Sequence, residues 1–290
     1  MRRLRSTAVI VSLAAALLAA GADPAPKLPD AGKLMEDLRK HVECKDSSMR
    51  LLVDFRGERH EMVEVEFLTR TDESGTRTVL RFSRPDDLKG TALLVIEKAK
   101  DGKPASYVYL ASSEKTKKLP SDAAGKTEYK GIDFSFAELL RLKPGDLVSR
   151  TKGYTSYTMD KNGEPFTQPY CILVESVPAK GVKTGFSRLE TVFWPDQTNV
   201  KGAVTMQYYP VSIRFYDADG KLERTTRVLG LEQVKRADDP ETDVLTPTKV
   251  VAEHLAKNQT TTIEVRDPKY NAGLAASLFD PKTFGTANDG

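Results

Sequence analysis

The sequence predicts a mainly β protein (α+β), built as one large curved antiparallel sheet with an N-terminal helix and a few short helices packed on one face. Three observations carry that expectation. Apolar and polar residues alternate with a period of two through most of the chain after Cys44. Short turn signals separate the alternating runs, and tight turns make sequential strands antiparallel, because parallel neighbours need long crossovers. Helical periodicity is confined to one stretch near the start and two short stretches later.

The first element is a leader. Arg2, Arg3 and Arg5 precede an uncharged run over residues 8–20, and Ala20-Gly21-Ala22 has the small residues of a cleavage site. The run falls short of the roughly 20 apolar residues that span a bilayer. Residues 1–22 therefore read as a secretory signal peptide, and residues 23–290 as a single exported domain that is not an integral membrane protein. No cysteine sits at the cleavage point to carry a lipid. Removing the three arginines takes the formal charge from +3 to zero, since Lys+Arg then equals the 41 Asp+Glu. A neutral chain has no long-range field with which to gather nucleic acid or an anionic membrane.

After a Pro-rich lead-in, Leu34, Met35, Leu38 and Val42 recur at spacings of three and four, with Asp30 placed to cap the helix they define. The period then changes to two. Val63, Val65 and Phe67 alternate over residues 61–69, a turn follows at 72–75, and Thr78, Leu80 and Phe82 alternate over 77–82. The same grammar predicts strands at 91–96 and 106–110, at 154–159 and 170–176, and at 187–194, 211–216, 222–234, 248–255 and 260–265. That makes about ten strands, with short helical candidates at 134–142 and 274–278.

Chemistry finds little support. His41, His60 and His254 stand without metal-site spacing, and no nucleophile elbow or phosphate loop is present. Asp217-Ala-Asp219-Gly220 lacks the downstream Glu of a calcium loop and reads as a hairpin turn. No cofactor, metal or catalytic residue is expected. Cys44 and Cys171 are open to two readings, one disulfide or two buried thiols, because spacing cannot test the geometry of a bridge. The apolar and aromatic residues spread over the strands are likewise open to two readings: an ordinary core, or the lining of an apolar cavity.

Four segments in order, and the C-terminal tail after them, resemble a known family. The first is Arg84-Pro85-Asp86-Asp87-Leu88-Lys89-Gly90-Thr91, followed by the Tyr107-Val108-Tyr109-Leu110 strand and the basic run Lys115-Thr116-Lys117-Lys118. Then come Asp133-Phe134-Ser135-Phe136 and the tail from Tyr270 to Phe284. Together they resemble the LolA-like outer-membrane lipoprotein-sorting family, most clearly over residues 81–142 and the tail. Ala111 stands where the family usually has Pro, and the basic run is poorer in arginine. The resemblance implies an unclosed (half) β-barrel whose helices cover the concave face. It also implies a non-catalytic periplasmic carrier or chaperone that holds lipid or lipoprotein acyl chains for transfer towards the outer membrane. An inner-membrane transporter and an outer-membrane acceptor are the partner classes such a carrier would meet. On that reading Val63, Val65, Phe67, Leu80, Phe82, Leu94, Tyr109 and Phe193 line the cavity, and Phe134, Phe136 and Leu139 belong to a lid. The alternative is a non-catalytic envelope interaction or sensing module that works through edge strands or turns.

Overall fold

The computed structural model of the chain describes residues 28–40, 44–73, 75–97, 104–119, 145–161 and 164–287. The leader at 1–22 and the lid residues Phe134, Phe136 and Leu139 lie outside the described residues.

The helix α1 (Ala31–Lys40) starts as its sequence dictates. Lys33 N–H donates to Asp30 Oδ1 at 2.9 Å, closing the N-cap. Its apolar residues Ala31 and Leu34 are buried against Ile172, Val174 and Phe193.

Thirteen strands follow among the described residues: β1 (Asp46–Arg56), β2 (His60–Asp72), β3 (Gly75–Arg84), β4 (Ala92–Ile96), β5 (Ala105–Leu110), β6 (Lys115–Leu119), β7 (Leu147–Lys161), β8 (Glu164–Pro178), β9 (Arg188–Val200), β10 (Ala203–Tyr216), β11 (Leu222–Lys235), β12 (Asp243–His254) and β13 (Gln259–Tyr270). They form one sheet in the order β10-β9-β8-β7-β11-β12-β13-β1-β2-β3-β4-β5-β6, with an added pairing between β10 and β11. The ladders are antiparallel except where Gly230 of β11 meets Asp160 of β7 in parallel. β11 is thus reached from both sides, and β7–β11 curl into a partial ring. The remaining strands run on as an open wing, so the barrel is not closed.

Eleven of the thirteen coincide with the alternating runs of the sequence, β1 and β6 add to them, and several strands are longer than their patterned cores. β1 carries the same alternation as its neighbours, with Met49, Leu51, Val53 and Phe55 on one face and Arg50, Asp54 and Arg56 on the other. The turn at 217–220 is a hairpin turn. Asp217 Oδ1 accepts N–H bonds from Asp219 and Lys221 at 3.0 and 2.9 Å, and Gly220 supplies the left-handed φ of 76°. The short helix expected at 274–278 is a 3-10 turn, Ala276–Phe279.

Among the described residues two separate covers lie on the sheet. The helix α1 covers Ile172 of β8 and Phe193 of β9. The C-terminal segment lays Leu274, Leu278, Phe279 and Phe284 over Leu68, Val79, Ala92 and Leu94 of β2–β4. This second contact is tight. A Cβ added at Gly285 would stand 2.1 Å from the Tyr109 ring, so only glycine lets the segment lie so close. Arg81 ties the segment down, donating from Nε and Nη2 to the Phe284 carbonyl at 3.3 and 3.0 Å.

Candidate functional site: an apolar sheet face

Strand alternation sends Val63, Val65 and Phe67 to one face of β2 and Leu68 to the other. Cross-strand register carries that division through the wing. Val65 is opposite Phe82, and Phe67 is opposite Leu80. Val63 lies opposite Val53, Val53 opposite Ile263, Ile263 opposite Val250, and Val250 opposite Val228. The result is an unbroken row of five β-branched aliphatic residues across β2-β1-β13-β12-β11, roughly 19 Å long at ordinary strand spacing. A parallel row runs Val108-Leu93-Leu80-Phe67-Met49.

These rows are not sealed. Val53, Val63, Val65 and Phe82 pack into one buried cluster with Leu88, whereas Leu51, Val250, Ile263, Val265, Phe67 and Leu80 stay half-exposed. At its ring end the face runs into a second cluster. Met159, Cys171, Trp194, Val211 and Val228 come from five different strands and meet inside the partial ring, with Val250 packed against them. Tyr157 donates its hydroxyl to the Val228 carbonyl there at 3.0 Å, and burial pushes its pKa up to about 12.

The opposite face is charged where the C-terminal segment leaves it. Arg50 pairs with Glu64 and Asp267, Arg227 with Glu253, and Glu175 with Arg150 and Arg188. The Arg150 hydrogen bond holds the Glu175 carboxyl below the usual carboxylate range, and the Arg56 hydrogen bond does the same for Asp54. His60 Nε2 lies 2.8 Å from Asp54 Oδ1, with its side chain 60% exposed. Among the described residues no group of three or more His, Cys, Asp or Glu side chains is placed to hold a metal ion.

Of the eight residues expected to line one cavity, the structure brings five together: Val63, Val65, Phe67, Leu80 and Phe82. Leu94 and Tyr109 are on the other face, beneath the C-terminal segment. The reason is register. Leu80 is opposite Leu93, so Leu94, opposite Val79, faces away. Phe193 is buried under α1. Leu51, Val53, Val228, Val250 and Ile263 complete the face but were missed by the sequence reading, although alternation at 49–55 and 261–265 carries their signal. The two cysteines are free thiols and no bridge joins them. Cys44 packs with Val244 and Tyr270, while Cys171 sits in the ring cluster, so each has its own apolar site.

A family model described as "Uncharacterized protein" matches residues 74–286. No curated protein matches the chain. Solved structures that share its fold include the following three. One is a domain described as an outer membrane lipoprotein-sorting protein, from Vibrio parahaemolyticus. It is 15% identical, with 88% of this chain and 98% of that chain covered, and its TM-score is 0.62. A DUF1329 family protein from Desulfovibrio piger is 16% identical, covers 86% and 95%, and has a TM-score of 0.60. A LolA superfamily protein from Nitrosomonas europaea is 12% identical, covers 87% and 98%, and has a TM-score of 0.51. At such identities the likeness is one of fold.

Proposed function

The chain belongs to the family matched over its residues 74–286 and has a LolA-like fold, and we propose that it is a non-catalytic periplasmic carrier or chaperone for acyl chains. In this reading it is exported by its leader, works as one domain, and holds a lipid or lipoprotein for transfer towards the outer membrane. The observation that carries the proposal is an apolar sheet face on which Leu51, Phe67, Leu80, Val250 and Ile263 stay half-buried beside the buried Val53, Val63, Val65, Phe82 and Val228. Five aliphatic residues stand in register, and Leu51, Val65, Phe67, Leu80 and Phe82 lie beside them. An acyl chain needs apolar contact and no reacting group. About ten buried CH₂ groups contribute about 8 kcal/mol before the cost of association is subtracted. The likeness to a protein described as lipoprotein-sorting supports the same reading. No helix among the described residues is long and apolar enough to cross a membrane. The Gly131 to Arg141 segment, with Phe134, Phe136 and Leu139, remains the proposed lid.

Protein purified gently from its own periplasm is expected to carry a lipid in native mass spectrometry and to take up a fluorescent fatty acid. An apo mass alone, together with no probe uptake, would sink the proposal. One observation favours the rival reading of an interaction module: Val204 and Met206, at the β9–β10 hairpin end, are 70% and 51% exposed. A stoichiometric protein partner and no lipid would decide for it.

A further inference from the structure

The basic run Lys115-Thr116-Lys117-Lys118 lies in β6, the last strand of the sheet. It pairs with β5 on one side, and among the described residues its other edge is unpaired. Lys115, Lys117 and Lys118 are all exposed. No carboxylate stands within ion-pair distance of them among the described residues, and the only acid in residues 104–119 is Glu114, in the turn before the strand. Arginines elsewhere on the sheet differ: Arg50, Arg81, Arg150, Arg188 and Arg227 each stand beside a carboxylate.

The rim also joins the apolar face. Lys117 is opposite Val108, and from Val108 the row runs through Leu93, Leu80 and Phe67 to Met49. Directly opposite residues share a face, so no charged side chain interrupts the row between Lys117 and Met49. Unpaired cations on a free rim complement an anionic surface. Such a surface could be an acidic extended peptide, added to the edge as a further strand, or a bilayer with anionic headgroups. Lysines on an edge deter strand addition, which disfavours the peptide. An apolar row leading inward from the rim suits a source of lipid.

We propose that β6 is a docking rim on which the chain rests against anionic phospholipid, with Lys115, Lys117 and Lys118 at the headgroups. The choice of a bilayer over a peptide rests on the carrier reading above. The attraction reaches about 10 Å at moderate salt, so it holds a surface already met and does not draw one from afar.

The test is co-sedimentation of protein purified from its own periplasm with two kinds of vesicle, phosphatidylcholine alone and an equal mixture of phosphatidylcholine and phosphatidylglycerol. Each lysine at an anionic surface contributes about fivefold to partitioning, so the mixed vesicles should bind about a hundredfold more tightly at low salt. Raising the salt to about 0.5 M should remove the difference. Replacing all three edge lysines (Lys115→Gln, Lys117→Gln, Lys118→Gln) should remove it too. The same charge change at exposed lysines away from β6 (Lys180→Gln, Lys183→Gln, Lys221→Gln) should leave it in place. If the edge triple variant does not fold by circular dichroism, Lys117→Gln alone should lower the preference about fivefold. Equal binding to the two vesicle types overturns the proposal, as does a control triple variant that weakens binding as much as the edge triple. Binding of a poly-glutamate peptide with no vesicle preference overturns it in favour of a protein partner. Fatty-acid uptake on the same samples separates the two readings. Uptake without vesicle preference removes the rim and leaves the carrier, whereas vesicle preference without uptake keeps the rim and removes the carrier.

Discussion

Replacing Phe284 by Ala separates the two faces of the wing. Phe284 is 0% exposed and packs with Leu68, Val79, Leu94 and Tyr109 on the face away from the Val63–Val228 row. Truncating a buried Phe to Ala costs about 3–5 kcal/mol once the cavity is included. The lower end applies here, because the bonds from Arg81 run to the Phe284 carbonyl, which survives the substitution and keeps the segment docked. Set against a stability of about 5–15 kcal/mol, the loss is large but leaves the protein folded. Urea unfolding should show the midpoint lowered by about 1–2 M at constant slope. Fatty-acid uptake by the folded variant should be unchanged, since no atom of the apolar row is touched. A loss below about 1 kcal/mol would contradict the packing. Wild-type stability with uptake abolished would refute the division of faces.

Further expectations follow from the same geometry. Ile263→Asp places a carboxylate at a half-buried position in the middle of the row and should weaken fatty-acid uptake at least about tenfold, since a charge among apolar groups is costly; unchanged uptake by the folded variant would remove Ile263 from the site. Asp30→Ala deletes the α1 cap and should lower stability by about 1 kcal/mol in urea unfolding, with no effect on uptake. The Glu175 carboxyl is held low in the folded state, so its contribution is present above the unfolded value of about 4.3 and is lost as pH falls through the lower folded value. The urea midpoint should therefore fall on acidification in that range, and Arg150→Gln should flatten the fall. Burial pushes Cys44 up to about 11 and Cys171 up to about 12, so neither thiol should react with a maleimide in the folded protein at neutral pH, and both should react in denaturant. Rapid labelling of the native protein would show that one of them is exposed.

Most of the sheet was legible because its signal is local. Alternation at 61–69 and 77–82, with the turn at 72–75, specifies the β2–β3 hairpin, and Asp30 followed by Leu34 and Met35 specifies the start of α1. The faces were legible within a hairpin but not across the wing. Alternation tells that Val63, Val65 and Phe67 share a face, whereas a shift of one residue at β4 sends Leu94 one way and Leu93 the other. That register depends on the turn between β3 and β4, which residue patterns leave undefined. The burial of Leu94 and Tyr109 depends on a contact distant in sequence, where Gly285 meets Tyr109 across 176 residues. No periodicity encodes such a pairing.

The central claim is that an acyl chain lies on the face formed by Val63, Val53, Ile263, Val250 and Val228. Photo-crosslinking with a fatty acid that carries a diazirine on its chain, followed by peptide mapping of the adducts, tests it directly. The account predicts adducts on β1, β2 and β11–β13. Adducts confined to residues 274–287, or to α1, would contradict it.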